Sequence, residues 1–382
     1  MEWKEVRLGD ILNFRRGHDL PHSAMKPGNI PVAGSNGVIG YHDTATPIKP
    51  ILTIGRSGNV GKPYFYEEAW AHNTTLYVDD FKGNDPKFLY YLCQTMPFAN
   101  FGGGSAVPTL NRNHIHPLET KIPVKVEDQR RIASILSSLD RKIELNNKIN
   151  ADLEEMAQAI FKNWFVDFEP FKDGKFVDSE LGMIPEGWKV GRADDFYQIN
   201  IGKTPPRKEH KWFSNNPADK IWVSIANMGN SGIFISDSSE YLTKEAVDSH
   251  NIIMVPRNTI LLSFKLTVGR VAIADKELTT NEAIARFILS DDKYMEYLYL
   301  YLKKFDYNSL GSTSSIATAV NSKTIKGMQM LQPSDKVIDA FHIQVNPIFE
   351  KIRSLTKENS RLSTLRDTLL PRLMSGELEV PE

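Results

Sequence analysis

The sequence predicts an α+β protein with two similar, β-rich globular domains, each followed by a long helix, related by an internal pseudo-twofold repeat. Short matches recur in the same order in both halves of the 382-residue chain. The recurring pairs are Trp3-Lys4 with Trp188-Lys189, Val60-Gly61 with Val268-Gly269, and Lys142-Ile143 with Lys351-Ile352. Two copies are too few for a solenoid, so the repeat indicates a pseudo-dimer within one chain. Such a molecule is suited to contact two similar targets at a fixed separation.

The residue pattern of each copy is typical of short strands joined by turns. Runs of β-branched and aromatic residues alternate with glycine, proline and asparagine, which is typical of a β-rich domain. The predicted strands include residues 51–54, 64–66, 76–78, 221–225, 260–262, 271–274 and 285–289. One helix is predicted in each copy, over residues 86–96 and 294–303.

Each copy ends in a long segment with a helical pattern of residues. Positions spaced three and four apart are mainly apolar from Ile132 to Ile160, and again from Ile338 to Leu369. This seven-residue period is typical of a coiled-coil seam, and the twofold repeat favours antiparallel packing of the two helices. Packing of each helix on its own domain is the alternative. Pro347 is expected to break or kink the first turns of the second helix.

Two asparagines occupy equivalent positions in these seams. Asn150 lies in the first helical pattern and Asn359 in the second. A buried polar pair at a seam lowers stability but fixes the register of the helices. We therefore predict that Asn150 and Asn359 set the register of the helix pair; solvated asparagines in a frayed stretch are the alternative.

Bulk composition narrows the class of protein. The formal net charge is −1, so a nucleic-acid surface has to be a local concentration of Lys and Arg. The single cysteine, Cys93, allows neither an internal disulfide nor a thiolate zinc cage and fits a reducing compartment. No apolar run approaches the roughly 20 residues of a membrane span. We expect a cytoplasmic protein with no membrane partner.

The sequence offers no catalytic, metal or cofactor motif. Residues 55–63 resemble a phosphate-binding loop, but that loop requires a hydroxyl residue where Pro63 stands. His114 and His116 alternate across a possible strand without acidic or cysteine partners nearby, so surface or core histidines are favoured over metal ligands. We expect a chain that binds and positions, has no cofactor or metal of its own, and is not an enzyme.

Polar loops recur at equivalent places in both copies and supply the candidate DNA-binding residues. Arginine suits guanine, asparagine suits adenine, and lysine suits phosphate; ordinary solvated loop polarity is the alternative for any single residue. The candidates in the first copy are Arg15, Arg16, His18, Ser35, Asn36, Arg56, Ser57, Asn59 and Lys62. The candidates in the second copy are Lys203, Thr204, Arg207, Lys208, Asn227, Lys265 and Arg270.

Several strings resemble the DNA-specificity (S) subunit of type I restriction–modification systems, over essentially the whole chain. Residues 127–133 (EDQRRIA) are similar to the opening of that family's central helix, and residues 160–168 (IFKNWFVDF) to its close. Residues 369–378 (LLPRLMSGEL) resemble its C-terminal signature. The loops Gly202-Lys203-Thr204-Pro205 and Val268-Gly269-Arg270 resemble those of its target-recognition domains.

The resemblance implies a division of the chain into functional segments. Residues 1–125 and 187–333 are the implied target-recognition domains, each reading half of a split double-stranded DNA site. Residues 126–168 and 334–382 are the implied central and C-terminal conserved helices, and residues 169–186 the linker. Gly55-Arg56-Ser57 in the first copy stands where the second has Ser263-Phe264-Lys265. The two domains are therefore expected to read different sequences, giving an asymmetric bipartite site.

The resemblance also implies partners. The helices would dock two methyltransferase (M) subunits, and restriction/translocase (R) subunits would bind the resulting assembly. S-adenosylmethionine, ATP and Mg are expected on these partner subunits and none of them on this chain. Two other classes stay open at this point: a coiled-coil scaffold with two heads that bind a ligand other than DNA, and a diverged DNA-modifying enzyme.

Overall fold

The computed structural model describes residues 1–103, 108–310 and 320–381. The chain divides into two compact units. Unit 1 consists of Met1–Glu144 and Asn359–Glu382, and unit 2 of Leu145–Glu358. None of the helices in the described part of the chain has both the length and the apolarity needed to cross a membrane.

The strands of unit 1 are short, as the spacing of its turn residues predicts. Their bounds are β1 (Trp3–Arg7), β2 (Asn13–Arg16), β3 (Ile30–Gly34), β4 (Gly37–His42), β5 (Ile51–Gly55), β6 (Pro63–Tyr66), β7 (Trp70–Ala71), β8 (Thr75–Asp80), β9 (Gly102–Gly103), β10 (Thr109–Leu110) and β11 (Glu119–Pro123). They form an antiparallel sheet in the order β2-β8-β5-β6, a sheet in the order β4-β3-β7, and the pairs β1-β11 and β9-β10.

The strands of unit 2 are similarly short. Their bounds are β12 (Phe176–Val177), β13 (Ile184–Pro185), β14 (Lys189–Arg192), β15 (Gln198–Ile201), β16 (Phe213–Ser214), β17 (Lys220–Val223), β18 (Phe234–Ile235), β19 (Tyr241–Leu242), β20 (Ile260–Ser263), β21 (Val271–Ala274), β22 (Thr279–Thr280), β23 (Ile284–Ile288) and β24 (Gln329–Gln332). The sheets run in the orders β15-β23-β20-β21-β18 and β16-β19-β17-β22, with the pairs β14-β24 and β12-β13.

The helices include two that are much longer than the rest. The α-helices are α1 (Leu8–Ile11), α2 (Pro86–Thr95), α3 (Arg112–Ile115), α4 (Val126–Phe165), α5 (Ala193–Phe196), α6 (Ile225–Asn230), α7 (Lys244–Ser249), α8 (Met295–Lys304), α9 (Ser322–Lys326) and α10 (Asp335–Ser375). Short 3-10 turns span His22–Ala24, Phe98–Phe101, Glu169–Phe171, His210–Trp212, Asp292–Tyr294 and Tyr307–Leu310. The predicted helices at residues 86–96 and 294–303 are present as α2 and α8.

Three local predictions are wrong, and capping or packing explains each. Residues 224 and 225 do not continue a strand, because the Ser224 side chain accepts a hydrogen bond from the Asn227 amide and starts α6. His114 lies in helix α3 rather than in a strand, because Asn111 caps that helix. Pro347 does not break α10, since the seam is buried on both sides of it, at Val345 and Phe349 for example. That packing outweighs the roughly 3 kcal/mol that an interior proline costs.

In unit 1, the beginning of α4 and the end of α10 share one hydrophobic core. Ile132 and Leu136 of α4 and Leu373 of α10 are all buried in it. The contact is also polar, because Nη1 of Arg366 donates to Oδ1 of Asp140 at 2.9 Å. The other oxygen of Asp140 accepts a hydrogen bond from the Tyr91 hydroxyl of α2 at 2.5 Å. Helices α2, α4 and α10 are thus joined within this unit.

In unit 2, the end of α4 and the beginning of α10 pack together. The Phe165 ring lies 4.8 Å, centroid to centroid, from the Phe341 ring of α10 and 4.8 Å from the Tyr297 ring of α8. Fully buried Asn146 donates from Nδ2 to Oε2 of Glu358 at 2.9 Å. Asn150 of unit 2 and Asn359 of unit 1 are each half-buried, and their role in setting the register stays a prediction. The fully buried seam amide is that of Asn146.

Candidate nucleic-acid interface

The candidate loops of both units leave their sheets at equivalent backbone positions. The amide of Gly17, which follows β2, donates to the Thr75 carbonyl at 3.0 Å, and the amide of Gly202, which follows β15, donates to Ile284 at 3.1 Å. A Cβ on Gly17 would lie 2.1 Å from the His72 carbonyl oxygen, and one on Gly202 would lie 2.0 Å from that of Asn281. Only glycine allows this close approach of two backbones. The same close packing of a glycine against a neighbouring backbone therefore positions the loop that begins at residue 18 in unit 1 and the loop that begins at residue 203 in unit 2.

A second loop is also built alike in the two units. The Gly55 amide donates to the Lys62 carbonyl at 3.0 Å, and the Ser263 amide to the Arg270 carbonyl at 2.9 Å. The hydrogen bonds close loops of equal length after strands β5 and β20. Arg56 and Phe264 consequently occupy the same loop position, although their chemistry differs completely.

Unit 1 brings three of its candidate arginines together. Arg15 and Arg16 of β2 and Arg56 of the second loop line one pocket of about 470 Å³. Arg112, at the start of α3, completes the lining with Leu76, Thr109, Leu110 and Asn111. Sequence reasoning missed Arg112, although Asn111 and Asn321 recur as a pair and both cap short helices.

The other unit 1 candidates lie around this loop or apart from it. The hairpin turn with Ser35 and exposed Asn36 is next to the second loop, because a Cβ on Gly58 would lie 3.6 Å from Oγ of Ser35. Ser57 forms an isolated bridge with Thr109. The candidates outside the pocket lining are Ser35, Asn36, Ser57, Asn59, Lys62 and His18. The His18 ring contacts the Trp70 ring at 5.4 Å and the Tyr77 ring at 5.5 Å between centroids, and Lys62 Nζ lies 5.4 Å from the Tyr64 ring centroid.

His116 supports the first strand of this site rather than a metal. Its Nε2 accepts the Phe14 amide at 3.1 Å, and its ring stacks on the Phe14 ring. Burial, and then the nearby charge of Arg112, lower the pKa of His116. The neutral imidazole can therefore keep accepting this hydrogen bond near neutral pH. In the described part of the chain, no cluster of three His, Cys, Asp or Glu side chains is arranged to hold a metal ion.

Unit 2 places a carboxylate among its candidate cations. The Thr204 hydroxyl donates to Glu282, an exposed residue that sequence reasoning missed. Burial opposes the ionisation of Glu282, but the Thr204 hydrogen bond and the charges of Lys265 and Arg207 outweigh it and lower the pKa of this carboxyl. An ionised carboxylate accepts hydrogen bonds from cytosine N4. The unit 2 loops thus combine cations, a hydroxyl and an acceptor.

Several unit 2 candidates already have partners within the protein. Arg207 donates from Nη1 to Glu240 at 2.7 Å and stacks on the Phe213 and Trp222 rings. The Asn227 side chain accepts from the Ser224 amide at 2.9 Å as part of a helix cap. Arg270 donates from Nη1 to the Ile225 carbonyl at 2.8 Å, and Lys203 donates to that of His250. Lys208 and Lys265 are exposed.

Two mixed α/β units with equivalent scaffolds and different loop side chains define a two-headed binding protein. The family described as type I restriction modification DNA specificity domain matches residues 1–155 and 185–336. The chain belongs to this family. The match confirms both the resemblance found in the sequence and the prediction of a non-catalytic DNA-specificity chain. It does not favour the alternatives of a scaffold with other ligands or a diverged DNA-modifying enzyme.

Relatives and a solved structure agree with this assignment. The HindI specificity subunit of Haemophilus influenzae is 30% identical over 446 residues, covering 98% of this chain and 94% of the relative. The MjaIX specificity subunit of Methanocaldococcus jannaschii is 32% identical over 310 residues, covering 78% and 70%. Both are named as type I restriction enzyme subunits. The S subunit structure from M. genitalium shares the fold, with a TM-score of 0.61 at 14% identity, covering 98% of this chain and 96% of that one.

Proposed function

We propose that this chain is the sequence-recognition subunit of a type I restriction–modification complex and that it reads an asymmetric, bipartite site in double-stranded DNA. Unit 1 reads one half-site and unit 2 the other. The observation that carries the proposal is the pair of equivalent loops with unlike side chains, most clearly Ser57 in unit 1 and exposed Lys265 in unit 2. A shared scaffold presents each set of loops to DNA, and different side chains select different bases.

The two long helices are proposed to pack as one antiparallel coiled coil in a pseudo-twofold arrangement. Contacts within each unit support this: the start of α4 meets the end of α10 in unit 1, and the end of α4 meets the start of α10 in unit 2. Each pairing, within its own unit, is the one expected of two helices that run in opposite directions.

Partner subunits are proposed to dock on the outer faces of these helices. Large apolar side chains are exposed there, namely Leu145, Met156, Ile343 and Leu365, with Ile343 74% exposed. Exposed apolar groups on otherwise polar helices are typical of interaction surfaces. Two M subunits carrying S-adenosylmethionine would bind them, and R subunits using ATP and Mg would complete the assembly in the cytoplasm.

A methyl-transfer assay tests this function. The purified chain alone should transfer no labelled methyl group from S-adenosylmethionine to DNA, whereas the chain with its M subunits should do so at one bipartite sequence. M subunits without the chain are the control and should show no sequence-selective transfer. Transfer by the highly purified chain alone, or selective transfer by M subunits without it, contradicts the proposal.

A further inference from the structure

The pocket of unit 1 that is lined by Arg15, Arg16 and Arg56 is strongly cationic. Of the residues that line it, Arg15, Arg16, Arg56 and Arg112 are basic, and the described part of the lining contains no acidic residue. The chain as a whole has a net charge of −1, so this is a local concentration of positive charge. Such a concentration within one pocket is suited to an anion.

Carboxylates near the pocket only partly offset this charge. Nη1 of Arg15 lies 3.5 Å from Asp79, and Nη2 of Arg16 lies 3.4 Å from Asp19. These arginine side chains are 64% and 56% exposed, so solvent screens both pairs. Arg56 donates to the Asn73 carbonyl and Arg112 to the Phe14 carbonyl, and neither forms an ion pair with a described carboxylate. Two guanidinium groups therefore retain uncompensated charge.

The positions equivalent to these four arginines carry neutral residues in unit 2. Backbone hydrogen bonds, strand pairing and helix caps that both units share give this alignment. Asn200 and Ile201 stand for Arg15 and Arg16, Phe264 for Arg56, and Ser322 for Arg112. Because unit 2 has the same scaffold with neutral residues at these positions, the scaffold itself does not require the four arginines.

We propose that this pocket binds a backbone phosphate of the DNA strand at the half-site of unit 1, with Arg112 as a contact residue. A guanine edge is satisfied by one bidentate arginine, whereas four arginines around one pocket match the charge and the several acceptor oxygens of a phosphate. The inference rests on the proposed function and adds to it an unequal division of phosphate contacts between the two units.

The salt dependence of DNA binding tests this inference. The assembled complex of full-length chain and M subunits is titrated with duplex carrying its methylation site at several chloride concentrations. The double variant Arg56→Gln/Arg112→Gln should lower the slope of log K against log salt by about 0.9, the value for one neutralised phosphate. Arg112→Gln alone should lower it by part of that amount, and Arg112→Lys should restore most of it by retaining the charge.

The matched control is Lys121→Gln, which removes one exposed positive charge from β11 of the same unit and should leave the slope unchanged. An unchanged slope in the double variant overturns the inference, as does an equal change in Lys121→Gln. Altered base preference at the unit 1 half-site, rather than a uniform loss over all sequences, indicates base reading and also overturns it. In each case, a wild-type complex that binds and methylates its site leaves the proposed function standing.

Discussion

Asn59 and Lys265 are exposed residues in equivalent loops of different units. Asn59→Ala should weaken only the half-site read by unit 1, and Lys265→Ala only that read by unit 2. A lost base contact costs about 1–3 kcal/mol of binding free energy at that half-site. Competition binding with duplexes mutated in one half-site at a time measures the effect. Lys244→Ala, an exposed lysine of α7, is the control, and equal losses at both half-sites for either loop variant would contradict this division.

His116 should make the stability of unit 1 depend on pH. Burial lowers the pKa of His116 from its ordinary 6.5, so the unfolded chain takes up the proton first as the pH falls. Stability is therefore fully present above about pH 6.5 and decreases as the pH drops through that value. His116→Gln keeps an acceptor for the Phe14 amide but does not titrate. The drop in thermal midpoint between about pH 7.5 and 5.5 should be smaller in this variant; an equal drop would show that His116 does not contribute.

Residue types on polar loops could be predicted from the sequence, but their neighbours could not. Arg15, Arg16 and Arg56 were predicted as candidates, yet their common pocket depends on strand register and a loop closure that only the fold provides. Arg112 gave no signal of its own beyond the cap residue that precedes it. The stacking of Arg207 on two rings likewise depends on residues distant in sequence.

The junction of α2, α4 and α10 in unit 1 depends on Asp140, whose two oxygens accept hydrogen bonds from Arg366 and Tyr91. Arg366→Ala should destabilise unit 1 by about 1–3 kcal/mol, because it leaves a partly buried carboxylate without its charged partner. Denaturant unfolding of the full chain measures the loss. Arg361→Ala removes an exposed arginine from the same helix and should change stability little. Equal effects of the two substitutions would show that the ion pair contributes nothing beyond helix propensity.

Long periodic elements could be predicted more reliably than short ones. The seam pattern predicts α4 and α10 because dozens of residues share one period. Short helices such as α3 and α6 begin at a single capping side chain, Asn111 or Ser224, and carry too few residues to show a period. The antiparallel coiled coil and the register asparagines remain predictions.

If α4 sets the spacing between the half-sites, lengthening α4 should lengthen the DNA spacer. Inserting four residues, about one helical turn, beside Asn146 adds about 6 Å. With a base-pair rise of about 3.4 Å, the unspecified spacer should grow by one or two base pairs while both half-site sequences persist. Sequencing of methylated DNA from the insertion mutant reports this change. The same insertion after Gly174, outside both long helices, should leave the spacer unchanged. An unchanged spacer in an active α4 mutant would contradict the claim that α4 sets the spacing between the half-sites.

The central claim is that two units of one chain read two different half-sites. Single-molecule sequencing of methylated adenines in a host that carries the chain and its M subunits tests this most directly. We expect one motif with two unlike specified parts, separated by a spacer of fixed length and unspecified sequence. Within that motif, Asn59→Ala should affect one part and Lys265→Ala the other. A continuous motif, or a palindrome with two identical halves, would contradict the account.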